Sequence, residues 1–214
     1  MTRLATPKPR STYRHGDLRR ALLEAAIELA RQGGPAAVVL RETTRRAGVA
    51  PNAAYRHFES REDLLAAVRA AALSALAQAI ESELDKINES LPAADYARAS
   101  LRAVGTGYLR FARREPGLFR TAFTPLEEPF RDAYGAEKKG GRGRNPFELL
   151  SDALDRMAKA GLLTPERRFA AEYLAWSSVH GLAMLVIDGP LRSFSPAQME
   201  AVGQRLIDMV ERGL

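Results

Sequence analysis

The chain has 214 residues, 46% of them apolar and 27% charged, with no cysteine. That length supports one large domain or two small ones around a real core. The missing thiols exclude disulfides, thiolate zinc sites, iron–sulfur clusters and a cysteine nucleophile. The net charge of +6 is concentrated at one end: residues 1–70 hold 13 Lys and Arg against 7 Asp and Glu, whereas residues 71–214 hold 19 of each. A basic third joined to a neutral remainder points to one part that meets a polyanion and another with a different task. The three histidines, His15, His57 and His180, stand far apart, so no metal site is expected. No run of 18 apolar residues and no apolar leader is present, which predicts a cytoplasmic chain without a membrane span.

Helical spacing recurs along the chain, and Gly and Pro mark most of the breaks. The first predicted helix, His15–Arg31, carries Leu18, Leu22, Ala25, Ala26 and Leu29 on one face and ends at Gly33-Gly34-Pro35. Two short helices follow, Leu40–Ala47 and Pro51–Phe58, with Gly48 between them. Ser60-Arg61-Glu62-Asp63 has the outline of a capping box and opens a long helix to about Lys86. Further helices are predicted over Ala94–Arg114, Leu118–Phe123, Pro146–Ala160, Pro165–Ile187 and Pro196–Arg212. That makes about nine in an all-α chain. The stretch Thr124–Arg144, with its Lys-Lys-Gly-Gly-Arg-Gly-Arg run, reads as a mobile loop.

The stretch 40–68, LRETTRRAGVAPNAAYRHFESREDLLAAV, has the form of a helix–turn–helix. Gly48 suits the sharp turn, since it takes a positive φ without strain. Leu40, Ala47, Val49, Ala54 and Phe58 can fill a small core, which leaves Asn52, Tyr55, Arg56 and His57 facing outwards or sideways. Asn52 and Arg56 have the chemistry to read adenine and guanine edges.

Leu40-Arg41-Glu42, Arg46-Ala47-Gly48-Val49, Tyr55-Arg56-His57-Phe58 and Ser60-Arg61-Glu62-Asp63-Leu64-Leu65 resemble the TetR family of transcriptional repressors. The resemblance covers about residues 15–70. It implies that the helix from Pro51 lies in the major groove, with Tyr55 and His57 on phosphates. Arg61 would replace the family's phosphate-gripping Lys, and Arg41 would touch bases or phosphates. Pro51-Asn52-Ala53 fills the part that varies with the DNA sequence read. Thr43 and Thr44 depart from the usual small apolar residues, so one of them is expected to be partly buried. Residues 1–14 hold Arg3, Lys8, Arg10 and Arg14, which suits either a DNA-tracking arm or a flexible solubilising tail.

In the neutral part, Pro165–Ile187 shows two apolar stripes. One is Phe169, Tyr173, Trp176, His180, Met184 and Ile187; the other is Leu174, Ser178, Gly181 and Leu185. A helix apolar on two faces is buried on two sides. With the stripe Met199, Val202, Leu206, Met209 and Val210 on the final helix, this predicts a homodimer through helices 165–187 and 196–212. Trp176-Ser177-Ser178-Val179-His180-Gly181 is similar to the Trp-(x)3-His-Gly signature of one TetR branch. Trp176 and His180 allow two readings. One is core packing around a hydrogen-bonded histidine. The other is an effector pocket that they line with Tyr108, Phe111, Phe119, Phe123 and Met184, suited to an apolar or weakly acidic ligand. Arg110, Arg113 and Arg114 read as a solvated helix face.

No spacing suggests a nucleophile–base arrangement or a phosphate-binding Gly loop, so neither enzyme activity nor a cofactor is expected. The expected organisation is a basic arm (1–14), a DNA-binding head (15–60) and a ligand-binding and dimerisation body (61–214), joined by helix 60–86. The expected function is a homodimeric repressor of double-stranded DNA, released from a palindromic operator by a small molecule. The alternative is a ligand-free architectural DNA-binding protein.

Overall fold

A computed structural model describes residues 15–125 and 138–214. The expected N-terminal arm and the middle of the 124–144 loop lie outside them. Among the described residues there are ten α-helices and no strand. They are α1 (His15–Gly33), α2 (Leu40–Ala47), α3 (Pro51–Ala54), α4 (Arg61–Leu84), α5 (Ala93–Arg114), α6 (Pro116–Ala122), α7 (Pro146–Lys159), α8 (Pro165–Arg168), α9 (Ala171–Ile187) and α10 (Pro196–Gly213).

The long helix α4 is the hub, packed against α1, α5, α6 and α7. By length and hydropathy it is apolar enough to cross a bilayer. Half of its most apolar window is nevertheless buried within the protein, as in a core helix. Its buried side chains include Leu64, Val68, Leu76 and Ile80. They meet Leu22, Val38 and Phe58 of the N-terminal part in one continuous core that runs on into α5, α7 and α9. Each such Leu or Phe contributes about 1.5–3 kcal/mol by leaving water. Helix α5 also packs on α7, α9 and α10.

Local chemistry explains most helix ends. Ser60 caps α4 by accepting from the Asp63 amide at 3.0 Å. The return bond differs from a full capping box: Asp63 Oδ2 accepts from the Glu59 amide, one residue before the cap. Asn145 with Glu148, and Ser195 with Gln198, form complete boxes on α7 and α10. Helix α5 ends at Arg114 as expected, and Pro116 takes the first position of α6, which therefore starts two residues before the expected Leu118.

Two expectations are corrected. The helix expected over Pro165–Ile187 is broken: Phe169 is extended and Ala170 is left-handed, at φ 59°. The break leaves Arg168 donating to Asp155 on α7 while it pairs with Glu172 in the first turn of α9. It also puts Phe169 out in solvent, 84% exposed, with Tyr173 half exposed. The inner face of α9 is formed by Ala171, Ala175, Val179, Leu182, Ala183 and Ile187.

The second correction concerns the Lys-Lys-Gly-Gly-Arg-Gly-Arg run, which is fastened to α4. The Glu81 carboxylate accepts from the Gly141 and Arg142 amides at 2.8 and 2.9 Å. Ser74 donates to the Lys139 carbonyl at 2.7 Å, and Arg142 pairs with Asp85. Lys138 is buried.

Candidate DNA-reading edge and aromatic cluster

Helices α2 and α3 are joined through Gly48, whose φ of 70° sets the turn. A Cβ there would meet nothing within 4 Å, so conformation and not space selects glycine. The Gly48 and Val49 amides close the turn on the Arg45 and Thr44 carbonyls. Behind the turn, Thr43 and Thr44 are both buried, and each hydroxyl donates back to a carbonyl of its own helix end, Val39 or Arg41, at 2.9 Å. Partial burial of one threonine was expected; both are buried, and these bonds satisfy their hydroxyls there. Phe58 is fully buried beneath the Arg19 guanidinium, 5.0 Å from its ring centre.

The outward side of this unit gathers Arg41, Pro51, Asn52, Tyr55 and Arg56, all exposed, with His57 partly buried beside them. Tyr55 is 57% exposed. The helix expected over Pro51–Phe58 is regular only to Ala54. Tyr55, Arg56 and His57 then form a turn closed by the His57 and Phe58 amides on the Ala54 carbonyl. Arg61 is placed differently from the others. Its Nε donates to the Val38 carbonyl and its Nη2 to the Pro35 carbonyl, both at 2.9 Å. Neither carbonyl had a signal in the sequence, because they lie 23 and 26 positions away.

In the body, Tyr108, Phe119, Phe123, Trp176 and His180 come together from α5, α6, the residue after α6, and α9. Trp176 Nε1 donates to the Tyr108 hydroxyl at 3.0 Å, and that hydroxyl lies 2.7 Å from His180 Nδ1. Among the described residues the phenol hydrogen has no acceptor other than Nδ1, and donating there leaves the His180 proton on Nε2. Burial pushes the Tyr108 phenol well above its usual range, so it keeps that hydrogen. Burial also pushes the His180 imidazole below its usual value, which favours the neutral ring the arrangement requires. Phe119 stacks on His180 at 5.5 Å, and Phe123 meets it edge-on at 4.8 Å. Phe147 on α7, which the sequence reading missed, closes on Trp176 and Tyr173. Phe111 is buried on α5 but makes no ring contact with this group among the described residues, and Met184 is partly buried against the core. Arg110, read as part of a solvated face, is partly exposed but paired: it bonds Glu83 at 2.8 Å and reaches Glu200. Burial alone would raise Glu83, but Lys86 and Arg110 outweigh it and hold the carboxyl below its usual range. Among the described residues no cluster of three His, Asp or Glu side chains could hold a metal.

Helix α6 joins the two regions. A Cβ on Gly117 would lie 2.3 and 2.4 Å from the Ala30 and Arg31 carbonyl oxygens at the end of α1. Arg31 donates to Glu115 at 2.8 Å, Arg69 on α4 donates to the Ala122 carbonyl, and Arg120 forks onto Asp188 at the end of α9. The same short helix supplies Phe119 to the aromatic cluster.

Two family patterns match this chain. Residues 22–68 match "Bacterial regulatory proteins, tetR family". Residues 101–210, just over half the chain, match "Tetracyclin repressor-like, C-terminal domain". The chain belongs to the tetR family. As a tetR-family transcriptional regulator it is similar in structure to a protein of unknown function from Rhodococcus sp. RHA1, at 26% identity and a TM-score of 0.74, over 96% of this chain and 99% of that one. It shares its fold with the TetR family transcriptional regulator PfmR from Thermus thermophilus, at 22% identity and a TM-score of 0.56, over 90% and 95% of the two chains. It also shares its fold with the transcriptional regulator FadR from Bacillus subtilis in complex with stearoyl-CoA, at 14% identity and a TM-score of 0.55, over 91% and 98%. No curated protein is significantly similar to the chain.

Proposed function

We propose that this tetR-family regulator is a cytoplasmic homodimeric repressor that binds a palindromic DNA operator and is released by a small molecule. The observation that carries the reading is the exposed edge of Arg41, Pro51, Asn52, Tyr55 and Arg56 on a turn built on Gly48, within the third of the chain that holds the surplus positive charge. Neither Arg41 nor Arg56 has a side-chain hydrogen bond or ion pair among the described residues, and His57 stands beside them. Free guanidinium groups on a protruding edge suit phosphate and guanine contacts.

Residues 15–60 then form the reading head and 61–214 the body, with residues 1–14 as a basic arm. The exposed apolar side chains Leu174, Leu185, Val202 and Met209 on α9 and α10 supply a face for a second copy. The uncrowded Gly181 on α9 favours close approach of a partner helix. Two heads on a two-fold axis would meet half-sites about one turn of DNA apart.

The effector site in this reading is the aromatic cluster, with Tyr108, Phe119, Phe123, Trp176 and His180 at its centre and Phe111 and Met184 at its margin. Its composition suits an apolar or weakly acidic ligand. The Trp176…His180-Gly181 string supports placing the chain in the branch that carries this signature. Helix α6 supports the coupling, because it touches α1, α4 and α9 while holding Phe119. A ligand that prefers one setting of α6 would shift the heads.

The test is selection of DNA duplexes from a random pool by the purified protein at about 150 mM salt, where weak phosphate contacts are screened. One palindrome is expected, with its affinity lowered roughly tenfold or more by Arg56→Ala through loss of a base contact. Recovery of nothing above background from protein stripped of small molecules overturns the reading.

A further inference from the structure

We infer that Arg61 is a positioning residue that clamps the reading head to α4, and not a phosphate grip. The inference rests on the DNA-binding reading above and names how that site is held. Arg61 is the first residue of α4, and its guanidinium, although 38% exposed, reaches across to the short turn Pro35–Ala37 between α1 and α2. Two different nitrogens donate to two different carbonyls, Val38 and Pro35, at 2.9 Å each. Its remaining terminal nitrogen lies 3.8 Å from Glu62.

The two accepting carbonyls sit where the chain enters α2. Val38 is fully buried, and Val39 is the residue before α2 whose carbonyl receives both the amide and the hydroxyl of Thr43. The fork therefore ties the segment that leads into α2 to the first turn of α4. Arg41 stands in the first turn of α2, and Arg56 follows through the Gly48 turn. Their placement on DNA depends on the angle between α2 and α4. A planar guanidinium fixes two donors at a set spacing. An ammonium on a flexible stem is a point charge that cannot reproduce the fork. The contrast with Arg41 and Arg56, which are exposed and unpaired among the described residues, is the basis for separating their roles.

The test compares Arg61→Lys and Arg61→Gln with the wild type on the duplex recovered by selection and on a random duplex of equal length. It reads affinity against salt, melting temperature, and amide hydrogen exchange from Val38 to Thr43 in the free protein. Positioning predicts that both variants lose roughly tenfold or more on the selected duplex, while binding to the random duplex stays within about twofold. The salt slope stays unchanged, since no phosphate contact is lost. Exchange over 38–43 accelerates in both. A phosphate grip predicts the opposite: the Lys variant binds like wild type, and the Gln variant loses about 0.9 of slope per contact on both duplexes. That result overturns the inference, as does an equal loss on both duplexes, which would mark a general loss of folding. If the Gln variant does not fold, the Lys variant alone decides. If the wild type selects no duplex, the DNA-binding reading itself fails, and the exchange arm still reports whether the clamp exists.

Discussion

At the scale of single residues, the Trp176–Tyr108–His180 chain sets most of the chemistry of the body. Every polar hydrogen of Trp176 and Tyr108 is used, and His180 is left neutral with its Nε2–H as the remaining donor. Its imidazole, lowered by burial, resists protonation in the folded protein. The unfolded chain therefore takes up the proton first as pH falls through the ordinary histidine value of about 6.5. Stability contributed by this group is complete above that value and is lost as pH drops toward the lowered folded value. The melting temperature is thus expected to fall between about pH 7.5 and about pH 5.5, and to fall less in His180→Gln, whose carbonyl still accepts from Tyr108. A scan of both proteins across that range checks it; equal slopes would remove His180 as the cause. The pairing of Trp176 and His180 was legible because residues four apart share a helix face. Tyr108, 68 and 72 positions from its partners, was legible only as an aromatic of the right kind, since no local spacing encodes a contact between α5 and α9.

At the scale of elements, the boundaries that sequence reasoning located are those written by local chemistry: Gly48 at the turn, Ser60 and Ser195 as caps, and Pro51, Pro146 and Pro196 at first positions. The missed break at Ala170 has no such mark. It is held from outside by Arg168 reaching both Asp155 and Glu172. Burial would raise Glu172, but the Arg168 guanidinium and the Ser151 hydroxyl outweigh it and keep the carboxylate charged. A left-handed alanine costs about 1–2 kcal/mol that glycine does not incur. After the entropy penalty of glycine, Ala170→Gly is expected to stabilise the protein by about 1 kcal/mol, raising the urea midpoint with the slope unchanged. A fall in the midpoint would show that the turn is not strained. The Lys-Lys-Gly-Gly-Arg-Gly-Arg run was misread for a related reason. Its order comes from Ser74, Glu81 and Asp85 of another helix, and composition alone does not report that.

For the whole molecule, helical spacing and the Gly and Pro breaks anticipated the all-α arrangement, because both are local properties of the chain. Neither stripe read from the sequence is the buried face of α9: that face, Ala171, Ala175, Val179, Leu182, Ala183 and Ile187, shares only Ile187 with the first stripe, while Phe169 and Tyr173 of the first and Leu174, Gly181 and Leu185 of the second are exposed. Leu174 and Met209 are each 59% exposed. In the proposed dimer they are covered by the second copy. Leu174→Glu combined with Met209→Glu is expected to weaken dimerisation by roughly a hundredfold or more while leaving the monomer folded. Sedimentation equilibrium over a concentration series checks this, and an unchanged dimer would relocate the interface. The Gly117 contact bears on how the chain melts. Two peptide backbones meet there with no side chain between them, and the apolar core runs unbroken from Leu22 to Ile187. Helices α1–α3 and the helices packed on α4 are therefore expected to melt as one cooperative unit, with a single transition in calorimetry, because loosening either part exposes the hydrophobic interior of both.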